Sequence, residues 1–327
     1  MLLIIVINMD GMAVIVAFRY ITMRLERHNN KKQSASGGRS VQLMIRLVTS
    51  ELDISYDDRL IVQNLNIAIP QGKITALVGS NGSGKSTILK TMARIMNPAK
   101  GKVLLDGKSI HKQSTKEVAK QLAILPQNPT APDGLTVAEL VSYGRFPYQK
   151  GFGTLTKEDR NIVQWAIDAT GMSEFADRPV DQLSGGQRQR AWIAMALAQE
   201  TDILFLDEPT TFLDMAHQLE VLHLLQKLNE MNNRTIVMVV HDLNHASRYA
   251  HHMIAIKKGV VIGEGTPLEV ITPEIMREVF NIEADIVPDP RTGLPLCLPF
   301  ALSAIPAADR VMKDQPVQEA KLAAAGA

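Results

Sequence analysis

The chain has 327 residues, 46% of them hydrophobic and 21% charged, with a formal net charge of +1. That is globular composition with length for one large domain or two small ones, and no strong global field points to nucleic acid. Its single cysteine, Cys297, excludes an internal disulfide framework and fits a reducing compartment.

Residues 1–20, MLLIIVINMDGMAVIVAFRY, are strongly apolar and run into Arg19, Arg24, Arg27, Lys31 and Lys32. A signal anchor would look like this. Asp10, however, sits mid-stretch, where a charge costs about 2.5–3.5 kcal/mol on insertion scales. No small-residue cleavage site stands out. HNNKKQSASGGRS then reads as a flexible linker. A third reading sets residues 1–43 aside as an upstream over-read, with translation from Met44. We favour it, because the organised pattern begins just after that methionine. Beyond residue 44 no stretch has the ~20 consecutive apolar residues that cross a bilayer.

GKITALV (72–78) is short and mostly apolar and reads as a buried strand; KSTILKTMARIM (85–96) reads as a helix. Between them VGSNGSGKST completes the phosphate-loop spacing: Gly79, four residues, Gly84, Lys85, Ser86. The glycines Gly79, Gly82 and Gly84 let the backbone N–H groups of Ser80, Asn81, Ser83 and Thr87 curl around phosphate oxygens at a helix N-terminus. Lys85 would reach the β- and γ-phosphates and Ser86 would ligate Mg²⁺. The competing reading is a glycine-rich turn with no ligand.

Later segments test that choice. LAIL (122–125) is a short apolar stretch that leads to Gln127 in PQNP. Three segments with helical spacing follow: LTVAELVSYG, KEDRNIVQWAIDATGM and SEFADRPV. In the second, Ile162, Val163, Trp165, Ala166 and Ala169 recur near one side. In QLSGGQRQRAWIAMALAQ, Ser184, Gly185 and Gly186 head a helix whose apolar side carries Trp192, Ile193, Met195, Ala196 and Leu197. A second glycine-bearing helix N-terminus is a second phosphate site, so two chains would share two nucleotides. DILFLDEP places a continuous apolar strand before Asp207 and Glu208. Asp207 would hold Mg²⁺ through water and Glu208 would act as general base on the attacking water. IVMVVHDLN ends another apolar strand at His241, and KKGVVIGEGTP reads as a hairpin turning at Gly259. The His241/His245 pair has zinc spacing. It lacks the following glutamate of the metalloprotease motif and starts at a strand end, so zinc is set aside. His251 and His252 read as a surface pair. The final AADRVMKDQPVQEAKLAAAGA reads as a mobile tail.

Leu183-Ser184-Gly185-Gly186-Gln187 matches LSGGQ, the signature of ATP-binding cassette (ABC) transporter ATPase subunits, and the chain resembles that family from roughly Met44 to Phe300. The resemblance implies an α/β P-loop NTPase cassette with a RecA-like core, an antiparallel β subdomain and an inserted helical subdomain at about 128–182. It implies an N-terminal extension over 1–43 and a tail over 301–327. It further implies ATP hydrolysis with Mg²⁺ by two copies arranged head to tail, the phosphate loop of one facing Ser184–Gln187 of the other. Gln127 matches the glutamine that senses Mg²⁺, water and the permease. His241 matches the switch histidine, Tyr56 in LDISYDD the aromatic on adenine, and Asp214 in TTFLD the interface aspartate. TTFLD departs from the common S-x-L-D, with Thr211 for serine and Phe212 at the variable place.

VSYGRFPYQ, TTFLDMAHQLEVL and IVPDPRTGLP resemble the importer branch that takes up ferric siderophores, with cobalamin and haem importers as close relatives. The expected partners are a second copy, membrane permease subunits and, indirectly, an extracytoplasmic siderophore-binding protein, with no nucleic acid. The expected place is the cytoplasmic face of the membrane. Translation and repair ABC proteins carry two cassettes or long coiled coils, and neither is present.

Overall fold

The computed structural model describes residues 45–56, 59–149 and 154–303. The expectations about residues 1–43, Met44 and most of the tail lie outside them.

Strands β1 (Ile45–Tyr56), β2 (Arg59–Leu65), β3 (Ala68–Pro70) and β4 (Ile74–Val78) precede the glycine loop, and α1 (Lys85–Met92) follows it. Next come β5 (Lys100–Leu105), β6 (Lys108–Ser109), α2 (Thr115–Ala119) and β7 (Leu122–Leu125). A helical insert holds α3 (Val137–Ser142) and α4 (Lys157–Ala169) and leads to α5 (Gly185–Ala198). The chain then alternates through β8 (Ile203–Asp207), α6 (Met215–Asn232), β9 (Thr235–Val239), α7 (Leu243–Tyr249), β10 (His252–Lys257) and β11 (Val260–Gly265). It closes with a hairpin, β12 (Ile282–Pro288) and β13 (Pro295–Leu302).

The main sheet has the order β11-β10-β4-β9-β8-β7, parallel from β10 to β7. Its central strands are mostly apolar, apart from Thr75, Thr235 and the terminal Asp207, because both faces are covered. Leu77, Phe205, Val237, Val239 and Ile254 point to the side of α1, whose Ile88, Leu89 and Met92 are fully buried. Ala76, Val78, Leu204, Leu206 and Met238 point to the other side, against α5 and α6. The period-2 alternation of a strand produces this division. A second sheet, β2-β1-β5-β6 with β3 on β1, is antiparallel and shares the α1 core. It is the antiparallel part expected near the N-terminus. Arg46 at its edge pairs with Asp106 at 2.8 Å and Asp202 at 2.6 Å.

Register aligns the strand ends. Leu206 faces Met238, Asp207 faces Val239, and Leu125 faces Leu206. The segments after β4, β7, β8 and β9 therefore leave from one edge of the sheet. Ligands of open α/β sheets bind at such carboxyl-terminal edges.

Several sequence expectations are corrected. The helix expected to reach Met96 stops at Met92. Arg94 turns left-handed at φ 64°, and the N–H groups of Ile95 and Met96 both donate to Lys90 O, closing the end. SEFADRPV forms only a 3₁₀ turn at Ser173–Phe175. Its Ala176 and Arg178 carbonyls instead accept the free N–H groups of Ala138 and Val137 at the start of α3. On α4 the buried side is Val163, Ala166 and Ile167, whereas Trp165 is 41% exposed. Met195 is half-buried. Ala301 and Leu302, read as the start of the tail, belong to β13, where they pair with Glu283 and Ile282. His251 is exposed, as read, and its Nδ1 also accepts Ile74 N–H at 3.1 Å, where partial desolvation lowers its pKa. The hairpin turn at Lys258–Gly259 stands as read. Among the described residues no helix is long and apolar enough to cross a membrane.

Candidate nucleotide-binding site

The loop after β4 needs its glycines for stated reasons. Gly79 has φ 152°, and a Cβ there would lie 2.1 Å from Ile256 O. Gly84 caps α1 at φ 100°, a left-handed conformation that side chains resist. The chain closes around Lys85, whose Nζ donates to Gly79 O and Ser80 O, each at 2.9 Å, with Ser83 Oγ at 3.5 Å. Gly259 N–H donates to Ser83 O and pins the loop to the β10–β11 turn. The helix starts at Lys85, so the N–H groups of Lys85, Ser86 and Thr87 have no intrahelical acceptor. Desolvation lowers the Lys85 pKa, and the negative charges of Glu208 and Asp207 oppose that shift.

Two carboxylates face this loop. Ser86 Oγ donates to Asp207 Oδ1 at 2.6 Å. Asp207 Oδ2 is buried without a hydrogen-bond donor, and Lys90 Nζ stands 3.9 Å away. Burial raises the Asp207 pKa; the Ser86 hydrogen bond and the Lys90 charge counter it. Glu208 has φ 55°, an unusual backbone for a glutamate. The turn aims its side chain outward, where Oε1 meets His241 Nε2 at 2.6 Å. Oε2 accepts Gln127 Nε2 and, at 3.1 Å, Thr211 Oγ1.

These groups border a cleft of about 450 Å³. Tyr56 and Ile61 form one wall, Asn81, Gly82 and Gly84 to Thr87 the floor, and Gln127, Glu208 and His241 the far side. Tyr56 is 47% exposed, with its ring free to stack on a planar ligand. Gly79, Ser80 and Ser83 form the loop behind Lys85.

Ser184, Gly185, Gly186, Gln187 and Asp214 do not line the cleft. Within one chain they do local work. Ser184 and Gln187 form a reciprocal capping box at the start of α5. A Cβ on Gly186 would lie 2.3 Å from the His217 ring, so this glycine lets α5 approach α6. Asp214 caps α6, accepting His217 N–H at 2.9 Å, and that bond lowers its pKa. Gly185 has no such neighbour; its nearest contact would be Leu213 at 3.4 Å.

Sequence reasoning missed Ile61, Lys90 and the hydrogen bond from Thr211. Lys90 was legible, because it lies four residues after Ser86 on the same helix face. The Thr211 bond depends on the Glu208 turn and was not.

The cleft offers backbone N–H groups and a lysine for phosphates, an aromatic wall for a base, and a carboxylate held where a water could be deprotonated. That equipment defines a nucleoside triphosphatase of the P-loop class. Residues 62–211 match the ABC transporter family. The chain is 64% identical over 259 residues to an iron(3+)-hydroxamate import ATP-binding protein, FhuC, of Bacillus subtilis, covering 79% of this chain and 96% of that protein. It is 47% identical over 259 residues to the ferric enterobactin transport ATP-binding protein FepC of Escherichia coli, covering 79% and 96%. Among solved structures, an inward-facing ABC transporter assigned to the metal-chelate type superposes with TM-score 0.69 at 28% identity, covering 78% of this chain and 97% of that one. A dimeric bacterial ABC transporter cassette, MJ0796, gives TM-score 0.60 at 30% identity, covering 67% and 98%. The chain belongs to the ABC transporter family, as an ATP-binding, ATP-hydrolysing subunit.

Proposed function

We propose that this chain powers ferric-siderophore uptake by hydrolysing ATP at the cytoplasmic face of the membrane. Its 64% identity to an iron(3+)-hydroxamate import ATP-binding protein carries the cargo. With no membrane-crossing helix among the described residues, the path belongs to separate permease subunits. A siderophore-binding protein would deliver cargo to them from outside.

In this reading Lys85 leaves Gly79 O and Ser80 O to hold the β- and γ-phosphates, and the N–H groups of the loop and first helical turn take the remaining oxygens. Tyr56 stacks on adenine. Glu208 accepts the proton of the attacking water, with Gln127, Thr211 and His241 fixing its two oxygens. The Ser86 hydroxyl and the donor-free Asp207 oxygen suit Mg²⁺, which takes hard oxygen ligands and keeps several waters. When bound, Mg²⁺ neutralises charge on the β- and γ-phosphates.

The site is completed by a second copy, head to tail. Ser184–Gln187 and Asp214 lie away from the cleft of their own chain, and α5 presents an exposed Gly185 at its start. Next to Asp214, Phe212 and Met215 are 87% and 80% exposed, an apolar surface suited to a partner. ATP favours the closed pair by its differential affinity for that state, and hydrolysis reopens it.

The test is uptake of ⁵⁵Fe-labelled hydroxamate and catecholate siderophores, labelled haem and cobalamin, in a host carrying this chain or its Glu208→Gln variant. Loss of ferric-siderophore uptake alone is expected. Loss of haem or cobalamin uptake instead would overturn the cargo.

A further inference from the structure

IVPDPRTGLP (286–295) marks a lineage in the sequence, and nothing in the hydrolytic cleft uses it. The structure gives it a mechanical role. These residues form the turn of the β12–β13 hairpin. Asp289 N–H donates to Leu294 O, and Gly293 N–H donates back to Asp289 O, both at 2.7 Å. Asp289 Oδ1 also accepts Arg291 N–H at 2.9 Å. The turn is therefore closed on itself.

One face of α7 is fastened to this hairpin at three points. Asn244 Nδ2 donates to Cys297 O at 3.2 Å, and its Oδ1 accepts Cys297 N–H at 2.8 Å, the pairing a strand neighbour would supply. Ser247 Oγ donates to Pro295 O at 2.7 Å in a buried contact. Arg248 Nη2 meets Asp289 Oδ2 at 2.7 Å. Positions 244, 247 and 248 follow the i, i+3, i+4 spacing of a single helix face.

His241 lies immediately before this helix. Upstream, Val240 N–H donates to Leu77 O and belongs to the sheet. Downstream, Asp242 caps α7 by accepting His245 N–H at 2.8 Å. The His241 side chain is 42% exposed, and its contact in the cleft is Glu208. Little packing holds the ring, so its placement depends on the backbone at both sides.

We infer that the C-terminal hairpin positions His241 against Glu208, with Asn244 as the positioning residue that joins hairpin to helix. This deepens the hydrolytic role proposed for His241 and rests on it. The Asn244 amide both donates to and accepts from the hairpin, so its removal frees the start of α7.

The full-length chain is compared with Asn244→Ala, Ser247→Ala and His241→Ala. Readouts are ATPase kinetics normalised to the folded fraction and ring resonances of ¹⁵N-histidine-labelled protein, with His241 assigned from its own variant. The expected result for Asn244→Ala is a fall in kcat of about 5–10-fold, a KM for ATP within about 2-fold, and a displaced His241 resonance. Ser247→Ala should act in the same direction more weakly. It supplies the same readouts if Asn244→Ala does not fold. An unmoved His241 resonance with wild-type kcat in the folded variant would overturn the inference. If His241→Ala itself turned over normally, the role of His241 would fail, while the resonance would still decide whether the hairpin places it.

Discussion

Ser86 Oγ and Asp207 Oδ1, 121 positions apart in sequence, lie 2.6 Å from each other at the foot of the cleft. The bond links the first turn of α1 to the end of β8, and it leaves the second Asp207 oxygen buried with no donor. A carboxylate held this way favours catalysis over stability. Burial raises its pKa in the folded chain, so ionised Asp207 opposes folding above that pKa, and the penalty fades as pH falls toward the unfolded value near 3.8. Asp207→Asn is expected to raise the unfolding midpoint of the nucleotide-free protein at pH 7 by about 2–4 °C, the equivalent of about 1 kcal/mol. The gain should shrink in acid, and Mg²⁺-dependent turnover should be lost. Calorimetry from pH 4.5 to 8 with parallel ATPase assays checks both.

The two glycines of the signature should separate by experiment. Gly186→Ala drives a methyl into the His217 ring and should cost about 1–3 kcal/mol of stability through overpacking. Gly185→Ala meets only ordinary contact with Leu213, so stability should stay within about 0.5 kcal/mol. If Gly185 faces a phosphate of the second copy, its methyl should nevertheless cut kcat at least about 10-fold. Urea unfolding and turnover of the two variants read the contrast; equal stability losses would count against the assignment.

Lys85 is held by two carbonyls and loses solvation in the folded chain. Lys85→Ala removes that buried cation along with its carbonyl bonds, so the fold should persist while nucleotide affinity drops by at least about 10-fold, about 1.4 kcal/mol. Calorimetric titration with a non-hydrolysable ATP analogue measures it.

Removal of residues 1–43 should leave ATPase activity intact. β1 begins at Ile45, and Arg46 already anchors that edge to Asp106 and Asp202. An inactive, misfolded product would show that the extension belongs to the fold.

How much of this was legible in the sequence depends on the range of the interactions. The continuous apolar runs of β4, β8 and β9 and the glycine loop announced a parallel sheet with a phosphate site, because strand burial and loop conformation are written locally. Asp207, Glu208 and His241 could be placed for the same reason: each ends such a run. Trp165 was assigned to the wrong side of α4, since periodicity gives a face but not what covers it. The packing of Gly186 against His217, 31 residues on, is a constraint that no local pattern reveals. The hairpin that holds Asn244 was visible only as a motif, because its partner helix lies 41–53 residues upstream.

The most direct test of the account is the purified Glu208→Gln chain. Glutamine keeps the shape but cannot take a proton. The account predicts that ATP still binds, that kcat falls by about 10²–10⁴-fold, and that size-exclusion chromatography with ATP and Mg²⁺ shows a persistent dimer. Wild-type turnover in that variant would contradict it and remove Glu208 as the base.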